Sequence, residues 1–171
     1  MSLGPRRALL AALAALLLGA CALLAEPSRI APGTPEAQVL ATLGRPTAQY
    51  PAAAGQPARL QYSSQPAGQR VFNLDLDADG RVARVEQALQ EGLFAQRIQV
   101  DHWRRADVLR EYGAPARVEA VHNFKGQIWV WRYALGPSWR LLFIDVDPEG
   151  VVRGWSLGDE SVADQIEPGS R

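Results

Sequence analysis

The sequence predicts an α+β protein made of two tandem units, each a short helical layer packed on a three-stranded antiparallel meander. A duplicated motif, helical segments closed by Gly-x-Pro, and alternating apolar segments joined by Asp/Gly turns carry that prediction. Val39-Leu40-Ala41-Thr42-Leu43-Gly44-Arg45-Pro46 returns 69 residues later as Val108-Leu109-Arg110-Glu111-Tyr112-Gly113-Ala114-Pro115. In the same order, Leu60-Gln61-Tyr62 returns as Trp131-Arg132-Tyr133, and the run from Leu74 to Gly80 returns as the run from Ile144 to Gly150. Each unit is about 70 residues, a size at which one copy alone is only marginally stable.

In the first unit the helix begins with Thr34 as cap and Pro35 in the first turn. Val39, Leu40 and Leu43 share one face, Gly44 supplies the stop, and Pro46 lies beyond it. Residues 58–63 and 70–77 alternate as strands, and 81–89 returns as a third after a turn whose Gly80 takes positive φ. The linker 90–99 has room for a short helix. In the second unit Asp101 is the candidate cap and Val108, Leu109 and Tyr112 form the face. Strands follow at 127–133, 139–147 and 151–157, with Gly150 in the turn. The units therefore span 29–89 and 100–158, preceded by a tether at 21–28 and followed by a flexible tail at 159–171.

Ahead of the units stands a leader. Arg6 and Arg7 precede an unbroken apolar run from Ala8 to Ala20, short of the ~20 residues that cross a bilayer. Residues 1–20 therefore read as a signal peptide. Leu18-Gly19-Ala20-Cys21 resembles a bacterial lipobox, in which the thiol receives diacylglycerol, so Cys21, the sole cysteine, is the expected lipidation site. Ala22 follows where many enterobacterial lipoproteins retained at the inner membrane carry aspartate, so the resemblance implies attachment to the outer membrane at its periplasmic face. Pro5-Arg6-Arg7-Ala8 matches a twin-arginine signal only in part, and general secretion is the expected route.

Composition narrows the function. Eighteen basic and 18 acidic side chains balance, leaving no basic footprint for nucleic acid, and 47% hydrophobic with 21% charged residues is globular usage. His102 and His122 have no metal-ligand spacing, and neither a phosphate loop nor a nucleophile elbow is present. The expectation is a non-enzyme without cofactor. Asp75-Leu76-Asp77-Ala78-Asp79-Gly80, with Glu86 beyond, matches the spacing of a calcium loop. Its flanks alternate as strands, however, and the second copy has Pro148 within the loop and Ser156 in place of Glu86, so the shared element is a hairpin and no metal site is expected.

Ile30-Ala31-Pro32-Gly33-Thr34, Val39, Leu43-Gly44-Arg45-Pro46, Tyr62 and the strand ending in Asp77-Ala78-Asp79-Gly80 together resemble the SmpA/OmlA (BamE-like) outer-membrane lipoprotein family over about residues 29–89. The second copy keeps the helix stop but has His102-Trp103 where the first has Gly-Thr. The resemblance implies helices on one face of a three-stranded sheet, a lipid anchor, and a role in outer-membrane protein assembly or envelope integrity, with the β-barrel assembly machinery as partner. The tandem layout also resembles that of β-lactamase inhibitory proteins, which implies the alternative of a periplasmic inhibitor or ligand-binding protein.

All five tryptophans lie in the second copy. Strand alternation points Phe72, Leu74 and Leu76 inward in the first unit and Leu142, Ile144 and Val146 inward in the second. The opposite face is mostly polar in the first unit but carries Ile128, Val130, Trp139, Leu141 and Phe143 in the second. Those five are the expected partner-binding residues, the competing reading being burial of this face between the repeats.

Overall fold

The computed structural model describes residues 26–161, so the signal peptide, Cys21 and most of the tail lie outside the described residues. After a 3-10 turn at Pro27–Arg29 come α1 (Glu36–Leu43), β1 (Ala48–Tyr50), β2 (Ala58–Ser63), β3 (Val71–Leu76) and β4 (Val82–Gln87). The chain continues through α2 (Glu91–Arg97), α3 (Arg105–Tyr112), β5 (Arg117–Glu119), β6 (Gln127–Leu135), β7 (Ser138–Val146) and β8 (Val152–Asp159). Sheet A is ordered β1-β2-β3-β4 and sheet B β5-β6-β7-β8, with every pair antiparallel.

These sheets correct the predicted fold class. Each has four strands rather than three, and strand residues outnumber those of the short helices, so the protein is predominantly β rather than two helical layers on three-stranded meanders. The added strands, Ala48-Gln49-Tyr50 and Arg117-Val118-Glu119, are too short for alternation to show. They are set instead by non-local pairing: Thr47 and Ala116 donate their backbone N–H to the carbonyls of Gln61 and Val130, and each following strand continues the ladder.

The helix starts also differ from expectation. Pro35, not Thr34, occupies the position before α1, and the Thr34 hydroxyl turns back to the Ala31 carbonyl. Asp101 does not cap α3 either; the Asp107 carboxylate accepts the Arg104 N–H at 2.8 Å. What fixes both starts is the distant hairpin. Gly80 and Gly150, at φ 70° and 83°, present their carbonyls to the N–H groups of Glu36 and Arg105, each at 2.9 Å. Otherwise orphaned first-turn donors are thereby satisfied by the Asp/Gly turn. Asp77 and Asp147 hold these turns by accepting backbone N–H bonds from Arg81 and Val151.

The helices form layers on the sheets, α1 outside sheet A and α2 and α3 between the two sheets. Val39 of α1 packs on the inner face of sheet A with Leu60, Phe72, Leu74, Leu76 and Val82. Phe94 of α2 and Val108 and Tyr112 of α3 pack on the inner face of sheet B with Trp129, Trp131, Tyr133, Leu142, Ile144 and Val146. Phe94 meets Tyr112 and Tyr133 edge-on at 5.8 and 5.3 Å between ring centres, the favoured aromatic geometry. The opposite side of α3 covers the outer face of sheet A. Every residue of β3 is therefore buried: Phe72, Leu74 and Leu76 in the core under α1, Val71 in the core of sheet B, and Asn73 and Asp75 among polar partners.

Candidate functional site

The outer face of sheet A shows what a covered face looks like in this protein. Register places Arg59 opposite Asp75, Gln61 opposite Asn73, and Arg84 and Glu86 beside them on β4. A helix ends with carbonyls that have no intrahelical partner, and α3 ends on this face. The Arg59 guanidinium donates to the Arg110 carbonyl, the Gln61 amide to the same carbonyl, and the Asn73 amide to the Glu111 carbonyl, at 2.9, 3.0 and 2.8 Å. Gly113, at φ 71°, fits closely beneath Gln61.

Around this seat three arginines and three carboxylates close into a ring of alternating charge. Arg59 bonds Asp75 at 2.7 Å, and Asp75 bonds Arg84 at 3.0 Å. Arg84 lies 2.9 Å from Glu86 as a charge contact rather than an aligned hydrogen bond. Glu86 bonds Arg97, Arg97 bonds Glu111, and Glu111 returns to Arg59 at 2.9 Å. Burial raises the Asp75 carboxyl, but hydrogen bonds and charge from Arg59 and then Arg84 outweigh it and hold it below its ordinary value. Burial disfavours the charged Arg59 as well, and Asp75 and Glu111 more than reverse that. The ring ties sheet A to α2 and α3, and so joins the repeats.

The calcium-like spacing is thereby accounted for. Asp75 and Glu86 are occupied by arginines, Asp77 holds the hairpin backbone, and Asp79 is exposed. The sequence singles out Asp75 and Glu86 only through the calcium-like spacing and does not point to Arg59, Arg84, Arg97 or Glu111, of which Arg59, Arg97 and Glu111 come from other elements. The available signal was the outward series Arg59, Gln61, Asn73 and Asp75.

On sheet B the five predicted residues share the outer face. Val130 pairs with Phe143, Ile128 with Asp145, and Leu141 and Trp139 lie across from Arg132 and Ala134. Val130 and Leu141 are buried, Ile128 and Phe143 half-buried, and Trp139 is 39% exposed. The first repeat reaches only one end of this face. Gln65 pairs its side-chain amide with the backbone of Arg132, while the Arg132 guanidinium bonds the carbonyls of Pro66 and Ala67 and the buried Glu160. The same guanidinium lies 5.4 Å from the Trp139 ring centre and steadies it. Trp139 follows the Gly136-Pro137 turn on a hairpin whose tip, from Ala134 to Trp139, is wholly exposed.

Among the described residues, one cleft of about 160 Å³ lies beside the ring, lined by Trp103, Arg110 and Glu111, and another of about 170 Å³ lies by Tyr62, Arg70 and Phe72. Both fall below the ~300–1,000 Å³ usual for small-molecule sites. Among the described residues no group of three or more His, Cys, Asp or Glu is placed to hold a metal ion, and no helix is long and apolar enough to cross a membrane.

No protein-family model and no curated protein matches the chain. Among solved structures, a DUF4309 family protein (YjgB) from Bacillus subtilis subsp. subtilis str. 168 is similar at 15% identity. The match covers 74% of this chain and 78% of that one with a TM-score of 0.31, a likeness too slight to bear on fold or function.

Proposed function

We propose that the protein is a lipid-anchored interaction module at the periplasmic face of the outer membrane. It binds a protein partner through the outer face of sheet B. On the resemblance read from the sequence, it serves outer-membrane protein assembly or envelope integrity, with the β-barrel assembly machinery as partner. The observation that carries the reading is the row of apolar side chains on the outer face of sheet B, with Ile128 and Phe143 half-buried beside Arg117 and Glu119 and Trp139 exposed at its end, where the corresponding face of sheet A is polar and closed by α3. Apolar surface of this kind, with an exposed aromatic residue at its margin, is characteristic of interfaces. The anchor rests on Leu18-Gly19-Ala20-Cys21 after the apolar leader. Two acyl chains or more give stable attachment where one does not.

Labelled fatty acid incorporation tests the anchor: the wild-type chain incorporates label and Cys21→Ser does not. Label retained by Cys21→Ser, or a mature N-terminus elsewhere, overturns it. Crosslinking and affinity capture from intact envelopes tests the binding role. Recovery of the β-barrel assembly complex supports the reading, whereas recovery of a single soluble periplasmic enzyme contradicts it.

A further inference from the structure

The two sheets can be aligned residue by residue, because each carries its irregularity at the same place, between Asp75 and Leu76 on β3 and between Asp145 and Val146 on β7. Register then matches Arg59 with Ile128, Gln61 with Val130, Asn73 with Phe143, Arg84 with Gly154, and Glu86 with Ser156, which corrects the sequence repeat by two residues here: Leu60-Gln61-Tyr62 corresponds to Trp129-Val130-Trp131 and not to Trp131-Arg132-Tyr133. Asp75 alone keeps its identity, as Asp145. Every donor that receives the carbonyl end of α3 on sheet A is therefore absent from sheet B. A helix end seated there would leave its last carbonyls buried and unpaired, whereas the side of a helix carries no such orphans.

Asp145 supplies the second observation. Its counterpart Asp75 is held by Arg59 and Arg84, and both positions have lost their charge on sheet B. Among the described residues no cationic side chain forms an ion pair with half-buried Asp145. The surface beside it is also smooth. A side chain at Gly154 would come within 3.0 Å of the Asp145 carboxylate, and one at Gly158 within 2.9 Å of the Phe143 ring, which occupies that space. From Gly154 to Gly158 the strand runs about 13 Å, room for two to three helical turns of about 5.4 Å. The other three sheet faces are each covered by a helix.

We propose, building on the binding role above, that this face seats the side of an amphipathic helix of a partner protein, its apolar residues on half-buried Ile128 and Phe143 and a lysine or arginine on Asp145. An added strand would instead use a sheet edge.

The test places photoreactive benzoylphenylalanine at position 128 of the full-length chain in its own envelope and maps the crosslinked peptide by mass spectrometry. The expected product is a partner segment with apolar residues at helical spacing and a lysine or arginine within one turn. Asp145→Asn should lower the yield about tenfold, as removal of a close charge partner does, and Asp145→Glu should retain it. A crosslink to residues 162–171, to a second copy, to lipid, or to an extended or acidic segment overturns the proposal, as does a yield indifferent to Asp145→Asn. Capture of a partner by the whole chain without a crosslink from position 128 sinks this inference alone. Failure of the whole chain to capture any protein sinks the binding role beneath it.

Discussion

Asp75 and Asp145 occupy one position in two copies of a sheet, and their surroundings give them different work. Asp75 is buried between Arg59 and Arg84, and its folded value lies below the 3.8 of the free side chain. A depressed carboxyl contributes stability that is complete above the unfolded value and is lost as pH falls through the folded one. Stability should therefore decline below about pH 4, and Asp75→Asn should flatten that decline in urea titrations across the acid range. The ring also separates its members by burial. Arg59 is 7% exposed, and Arg59→Met takes one of two cationic partners from Asp75 and from Glu111 and a donor from the Arg110 carbonyl, so a loss of about 1.5–3 kcal/mol is expected. Arg84 is 52% exposed, and Arg84→Met should cost about 1 kcal/mol or less by the same urea measurement. The local sequence around Asp75 identifies a hairpin strand but not these partners, because Arg59 and Glu111 stand 16 residues before it and 36 after it.

At the scale of elements, the legible parts are those with local chemistry. Gly44 and Gly113 end α1 and α3 at φ 75° and 71° with ψ −161° and −169°, a region that belongs essentially to glycine. Gly44→Ala should lower stability by about 1–3 kcal/mol through backbone strain alone, since its new methyl group meets nothing within 4 Å. Gly113→Ala should cost more, because its methyl group also falls 2.9 Å from the Gln61 side-chain oxygen beneath the end of α3. Thermal unfolding of the two variants side by side checks the difference. Elements set by distant partners were not legible. β1 and β5 are three residues each and exist through their pairing with β2 and β6, and the starts of α1 and α3 depend on carbonyls of hairpins more than 40 residues away. That is why three strands were expected where four occur.

Over the whole molecule the layers run α1, sheet A, α3 with α2 beside it, then sheet B, and the outer face of the last sheet differs in chemistry from the one before it. Alternation in the sequence separates the faces of each sheet correctly, placing Ile128, Val130, Trp139, Leu141 and Phe143 together. It does not say which face meets which neighbour. The joint between the repeats lies on the outer face of sheet A, where Val71, Ala88 and Leu89 enter the apolar core of sheet B and the rest is closed by charge and by the capping of α3, a polar part that hydrophobic patterning does not register. The proposed anchor rests on Leu18-Gly19-Ala20-Cys21 and the proposed binding role on the apolar face of sheet B. Phe143→Glu, assayed for partner capture and thermal unfolding on the same purified sample, tests that role most directly. The expected result is an unchanged melting temperature with capture abolished. A strongly lowered melting temperature would place Phe143 in internal packing, where a buried charge costs several kcal/mol, and capture that survives the substitution would move the binding surface elsewhere; either result overturns the proposed binding face.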